Sequence, residues 1–245
     1  FHIPFKPMPW EFDYVTPNDI PALYTAVCER TAAVVIEPIL GEGGVIEITP
    51  EYYRAVRRVC DKNGALMIAD EIQTGMGRTG ELLASPALGA LPDVVVLAKS
   101  LGSGVPTGAF LARGGAAKAF AQGDHGSTFG GNHLACAAAL YVTDKLVNTD
   151  ILARVKDTGA YFKQKLCDLK QSFCAIADVR GRGLMLGIEF HETAAAKDIQ
   201  KKLLSEGFVT ATAGKNTLRF LPPYTIEKAH IDALAVTLEA VLGRI

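Results

Sequence analysis

Two short apolar runs organise the pattern of this chain. Ala65-Leu66-Met67-Ile68-Ala69 ends on Asp70, and Val94-Val95-Val96-Leu97-Ala98 ends on Lys99. Runs of this length without polar alternation read as strands buried on both faces. Apolar residues recur at helical spacing before the first of them, at Tyr52, Val56, Val59 and Cys60. Thr49-Pro50-Glu51 supplies that helix with a cap, a proline for its first position and an acid for its first turn, and Gly64 lies just past its end. Asn18 or Asp19 before Pro21 predicts an earlier helix running to about Glu29, and Ala32–Glu37 a strand stopped by Pro38. Gly108–Ala112 reads as a further strand, and the proline-rich residues 1–17 as extended surface chain. Strands alternating with helices predict an α/β fold with a mostly parallel sheet.

The pattern changes after about residue 147. Helices over Leu134–Leu146 and Ile151–Leu169 lead out of the first part. Strands are predicted over Val179–Phe190, Phe208–Thr212 and Thr217–Leu221, with helices over Ala194–Glu206 and Glu227–Leu242. The expected organisation is a large domain over residues 1–147 and a small α+β domain over residues 148–245.

Composition narrows the classes. The chain has 245 residues, 49% of them hydrophobic, and a net charge of −1. That is ample apolar content for a core, and the charge gives no electrostatic reason to expect nucleic acid or an anionic membrane as partner. No apolar run approaches a membrane span, and the first residues resemble neither a signal nor a transit peptide. Cys28, Cys60, Cys136, Cys167 and Cys174 are odd in number and lack CxxC spacing, so buried free thiols in a reducing, cytoplasmic setting are expected. No metal-ligand cluster stands out.

In parallel α/β sheets, ligands sit beyond the carboxyl ends of the strands. Asp70 and Lys99 therefore meet at one functional edge. A lysine amine and a carboxylate suit pyridoxal phosphate (PLP), which needs an amine to hold its aldehyde and an acid to face its pyridinium nitrogen. The plainer alternative is a pair of solvated strand-end charges or an ion pair.

What flanks the two residues bears on that choice. Asp70-Glu71-Ile72-Gln73-Thr74-Gly75-Met76-Gly77-Arg78-Thr79-Gly80 resembles the class III aminotransferases, a fold-type I PLP family. The likeness continues through Ile36-Glu37-Pro38-Ile39-Leu40-Gly41-Glu42-Gly43-Gly44, Leu97-Ala98-Lys99-Ser100-Leu101-Gly102, His125-Gly126-Ser127-Thr128-Phe129-Gly130-Gly131-Asn132 and Leu218-Arg219-Phe220-Leu221-Pro222-Pro223. It is strongest toward the acetylornithine branch of the family. Family members extend considerably further at the N-terminus, so the chain is expected to be the C-terminal portion of such a protein.

The resemblance implies a role for each matching residue. Lys99 would hold the cofactor and shuttle the proton, and Asp70 would pair with the ring nitrogen. Gln73 would meet the ring 3-oxygen, and Ile72 would pack under the ring. Ser127 and Thr128 would reach the phosphate of a neighbouring subunit, which implies a homodimer with shared sites. Arg219 would take the α-carboxylate of glutamate or 2-oxoglutarate, and Glu42 would neutralise Arg219 when the donor presents a terminal amine. The implied reaction moves the terminal amino group of N-acetylornithine, or a related ω-amino donor, to 2-oxoglutarate, as in arginine biosynthesis. Each residue also has a plainer reading: loop cap, core isoleucine, helix cap or solvated charge.

Two rival readings stand beside this one. Gly75–Gly80 formally matches GxGxxG, the mark of an NAD-dependent oxidoreductase, but that fingerprint needs strand, tight turn and helix in succession. Here the strand ends at about Asp70, and Ser85-Pro86 interrupts any helix. Arg78 is then expected to be structural. The other rival is a non-catalytic fragment, which fits poorly with intact Asp70, Gln73 and Lys99.

Overall fold

The computed structural model describes residues 12–244. Most of the expected extended segment over residues 1–17 lies outside them. In chain order the elements are α1 (Ile20–Ala26), β1 (Ala33–Ile36), β2 (Ile39–Leu40), β3 (Ile46–Glu47), α2 (Pro50–Asn63), β4 (Leu66–Asp70), β5 (Val94–Leu97) and β6 (Ala109–Ala112). Then follow α3 (His133–Asn148), α4 (Ile151–Ser172), β7 (Ile176–Arg182), β8 (Met185–Phe190), α5 (Ala196–Ser205), β9 (Ala211–Ala213), β10 (Thr217–Phe220) and α6 (Lys228–Leu242).

The fold is α/β. One sheet has the order β1-β4-β5-β6, with β1, β4 and β5 parallel and β6 antiparallel at the edge. A separate antiparallel sheet has the order β7-β8-β10-β9.

Local chemistry accounts for the helix ends. The Thr49 hydroxyl accepts from the Tyr52 amide at 3.2 Å, Pro50 opens α2, and Gly64 closes it in the left-handed conformation at φ 69°. Asp19 caps α1 through the Ala22 amide at 2.9 Å. That helix ends at Ala26, short of the expected Glu29, because Val27 is already extended. Tyr53, Val56 and Cys60 of α2 pack with Ile36 and Met67 against one face of the first sheet.

The expectation of strands buried on both faces is corrected. The register pairs Val34 with Met67 and Ile36 with Ala69, and that face is covered. Val35 and Leu66, on the opposite face, are 63% and 38% exposed. Helix α2 packs on the side that carries Ile36 and Met67, and Val35 on the other side stays largely exposed. The thiols also differ from expectation: Cys60 is buried, whereas Cys28, Cys136 and Cys174 are exposed and Cys167 is intermediate.

In the second sheet, the run expected as strand from Val179 to Phe190 is a hairpin, β7–β8, turned at Gly183-Leu184. Helices α4 and α6 cover this sheet. Phe162 and Leu166 meet Leu186, Ile188, Leu218, Phe220, Ile231 and Leu238 in one core, with Phe162 and Phe220 edge to face at 5.3 Å.

Candidate active site

The carboxyl ends of β4 and β5 lie side by side. Asp70 pairs in register with Val96, and the Glu71 amide donates to the Val96 carbonyl at 3.0 Å. Asp70, the last residue of β4, is half-buried, and its Oδ1 accepts from the Ile72 amide at 3.0 Å. Lys99 is exposed and opens a 3₁₀ turn, Lys99–Leu101, directly after β5. An amine and a carboxylate thus stand on adjacent parallel strands at one edge, as the sequence predicted.

Glu42, Gln73 and Arg219 come together at the same edge. Arg219 Nη1 donates to Glu42 Oε1 at 2.7 Å and to Gln73 Oε1 at 3.1 Å, while Gln73 Nε2 donates to Glu42 Oε1 at 3.1 Å. The sequence motifs had not predicted that Gln73 joins this pair. Gly41 makes the closure possible: a Cβ there would lie 2.1 Å from Gln73 Oε1.

Burial divides the pair unequally. The Arg219 side chain is 9% exposed and that of Glu42 51%. Arg219 reaches the site from β10, where strand neighbours on both sides enclose it. Its Nε is buried without a hydrogen-bond partner. The Glu42 backbone is anchored, since its carbonyl accepts from the Gly214 amide at 2.9 Å. Partial burial would raise the Glu42 pKa, but the hydrogen bond and charge of Arg219, helped by Gln73 and Lys99, outweigh it and hold the carboxyl below its ordinary value.

Two carboxylates that the sequence reading gave no role complete the neighbourhood. Glu37 is half-buried, and its Oε2 accepts from the Gly41 amide at 3.1 Å. Burial pushes its pKa up, and the charges of Asp70 and Glu42 act in the same sense against the Gly41 amide and Lys99. Glu71 is 1% exposed and accepts from Thr74 Oγ1 at 3.1 Å, from the Ala84 and Ser85 amides at 2.7 Å each, and from the Ser85 hydroxyl. It closes the loop from residue 71 to residue 85 on itself. The Thr at i+3 was the local signal; the contacts to Ala84 and Ser85 had none.

Ile72 is half-buried in the same loop. Ser127 and Thr128 are not brought to this edge within one chain. They sit in a stretch exposed from residue 117 to residue 134, where Ser127 Oγ accepts from the Gly130 amide at 3.0 Å. The cap of α3 is Asn132, whose Oδ1 accepts from the Ala135 amide. The Gly75–Gly80 stretch leads into turns and a 3₁₀ turn at Ser85–Leu88, with no α-helix opening from it. It therefore lacks the strand–turn–helix geometry of a dinucleotide site. Arg78 donates to the carbonyls of Leu184 at 3.1 Å and Pro222 at 2.6 Å, which is a structural role.

Comparison with known proteins follows the same lines. The family model for class III aminotransferases matches residues 8–242. Acetylornithine aminotransferase of Methanocaldococcus jannaschii is 46% identical over 244 residues, covering 98% of this chain and 60% of that protein. N-acetylornithine aminotransferase from Stenotrophomonas maltophilia superposes with a TM-score of 0.86 at 37% identity, over 95% of this chain and 62% of that one. The Toxoplasma gondii ornithine aminotransferase, described with partial occupancy of PLP at its active site, superposes with a TM-score of 0.91 at 33% identity, over 98% of this chain and 57% of that one. The chain spans about 60% of the length of the curated relatives it matches.

Proposed function

This chain belongs to the class III aminotransferases, and from that premise we propose that it carries the lysine, acid and arginine of a PLP-dependent aminotransferase acting on N-acetylornithine or a related ω-amino donor, with 2-oxoglutarate as acceptor. The observation that supports this most directly is the Glu42–Arg219–Gln73 cluster beside Asp70 and Lys99.

The donor set fits the cofactor: one primary amine and one carboxylate at adjacent strand ends, with a buried guanidinium whose Nε is unpaired. When bound, PLP supplies a cationic ring that draws electrons from the carbon bearing the substrate amine. Asp70 would keep the ring nitrogen protonated. Lys99 would hold the cofactor aldehyde and, once displaced by the donor, act as the base that moves the proton. Ser127 and Thr128 would serve the phosphate of a second copy, in a homodimer. The exposed free thiols fit a cytoplasmic protein.

The arginine has to meet two kinds of substrate. Glutamate and 2-oxoglutarate carry an α-carboxylate, which the planar guanidinium fork suits. An ω-amino donor brings methylene to that place, and a desolvated arginine left unpaired there would be costly. Glu42 would pair with Arg219 for the donor half-reaction and swing away for the acceptor half. Its exposed carboxylate on an anchored backbone supports such a motion.

Three measurements on the intact protein test the reading. An ω-amino donor should bleach the absorbance of bound PLP, and borohydride reduction with peptide mapping should label Lys99. In single-turnover kinetics, Arg219→Ala should slow the glutamate half-reaction about 10- to 100-fold, the size of a lost charge-assisted hydrogen bond, and the donor half far less. Glu42→Ala should do the reverse and raise α-amine use. Equal losses in both halves for both variants would exclude the exchange of partners.

A further inference from the structure

Lys99 occupies a backbone conformation that its residue type disfavours. Its φ is 46°, in the left-handed region where a Cβ crowds the adjoining carbonyl. Its turn closes through the Leu101 amide on the Ala98 carbonyl at 3.0 Å and the Gly102 amide on the Lys99 carbonyl at 3.2 Å. Met76, in the loop that leads away from Asp70 and Gln73, is in the same region at φ 53°. Conformations of this kind persist only where the surroundings over-determine them.

One side chain touches both places. The Tyr224 hydroxyl lies 2.8 Å from the Met76 carbonyl oxygen and 3.2 Å from Ser100 Oγ. A phenol has a single proton and a carbonyl can only accept, so Tyr224 donates to Met76 and accepts from the Ser100 hydroxyl. The ring itself is held. The Arg78 guanidinium sits 4.6 Å from its centroid, and Arg78 is fixed by the carbonyls of Leu184 and Pro222. Tyr224 also packs against the cluster that contains Met76 and Leu101.

We propose that Tyr224 is a positioning residue for Lys99, its hydroxyl locking the Lys99 turn to the loop that follows Asp70 and carries Gln73. Tyr224 follows Arg219 by five residues across Pro222-Pro223. The segment that brings the substrate-binding arginine from the second sheet therefore also fixes the lysine turn of the first. The proposal rests on the reading of Lys99 as the cofactor-holding lysine.

The test compares wild type, Tyr224→Phe, Ser100→Ala and the double variant in the intact protein. Without cofactor, amide hydrogen exchange read by mass spectrometry over residues 99–102 should be about five- to tenfold faster in Tyr224→Phe, the size of one net hydrogen bond. Ser100→Ala should show a smaller increase, and the double variant should match Tyr224→Phe. With PLP bound, Tyr224→Phe should lower kcat several-fold at unchanged KM for both substrates, and should shift the pH midpoint of the bound-cofactor absorbance. A merely structural contact would leave that midpoint in place. Unaltered exchange over residues 99–102, or altered exchange with kcat and midpoint both unchanged, would overturn the positioning role. A borohydride label on another lysine would overturn the reading beneath it, and that outcome is recognised independently of the exchange data.

Discussion

Asp70 and Glu71 leave the end of β4 in different directions, as successive residues of an extended chain do. The Asp70 side chain accepts from the Ile72 amide and stays half-buried at the strand end. Glu71 is enclosed by donors from Thr74, Ala84 and Ser85. The same substitution should therefore have different consequences. On the proposed pairing of Asp70 with the ring nitrogen, Asp70→Asn should leave stability nearly unchanged and lower turnover about 10²- to 10³-fold, since an amide cannot hold a ring proton; steady-state kinetics beside a thermal melt would show the split. Glu71→Gln should act through stability, because its amide nitrogen would face backbone N–H groups it cannot accept from. Leaving such a donor unsatisfied costs about 1–3 kcal/mol, measurable as a lowered midpoint in urea.

At the scale of elements, α2 shows how far local signals reach. The Thr49 cap, Pro50 and Gly64 specify both ends of this helix, and the structure follows them. The face it buries carries Cys60 against Ile36 and Met67. Burial is the largest influence on that thiol and pushes its pKa up to about 11. At pH 8 the thiolate is then scarce, and the sulfur is inaccessible as well. Cys60 should stay unmodified by a thiol reagent in the folded protein and react only when α2 opens. Peptide mapping after graded urea exposure checks this. Labelling of Cys60 in native buffer at a rate like that of exposed Cys28 would contradict it.

At the scale of the whole molecule, the two four-stranded sheets are joined through the loop after β4. The Leu184 amide donates to the Arg78 carbonyl at 3.0 Å, and Gly183, at φ 54°, lies so close that a Cβ would sit 2.5 Å from the Thr79 carbonyl carbon. A second tie comes from Glu47, whose carboxylate accepts from Arg182 Nε at 2.7 Å and from the Gly181 amide at 2.9 Å. A third is the Arg180 Nε bond to the Gly44 carbonyl at 2.9 Å. These contacts flank the loops that carry Glu42 and Gln73. Gly183→Ala should thus cost about 3 kcal/mol from overlap and left-handed strain together. On the proposed role of Arg219, it should also weaken the glutamate half-reaction, because Arg219 approaches from the far side of the joint. Denaturation and single-turnover kinetics of the same variant test both effects.

The amino-acid sequence by itself determined the α/β class, the ends of α2 and the placing of Asp70 and Lys99 at neighbouring strand ends. Each of these follows from interactions within a few residues: side-chain period, caps, and the length of an apolar run. It also marked the motif residues Glu42, Gln73 and Arg219, through their resemblance to a family. Which of them touch was decided by the tertiary structure. Arg219 and Glu42 are 177 positions apart and Tyr224 and Ser100 are 124 apart, so no local pattern records their pairing. The hairpin hidden in residues 179–190 has the same origin. Periodicity reports which residues can be buried, but only the neighbours brought in by the rest of the chain decide which of them are.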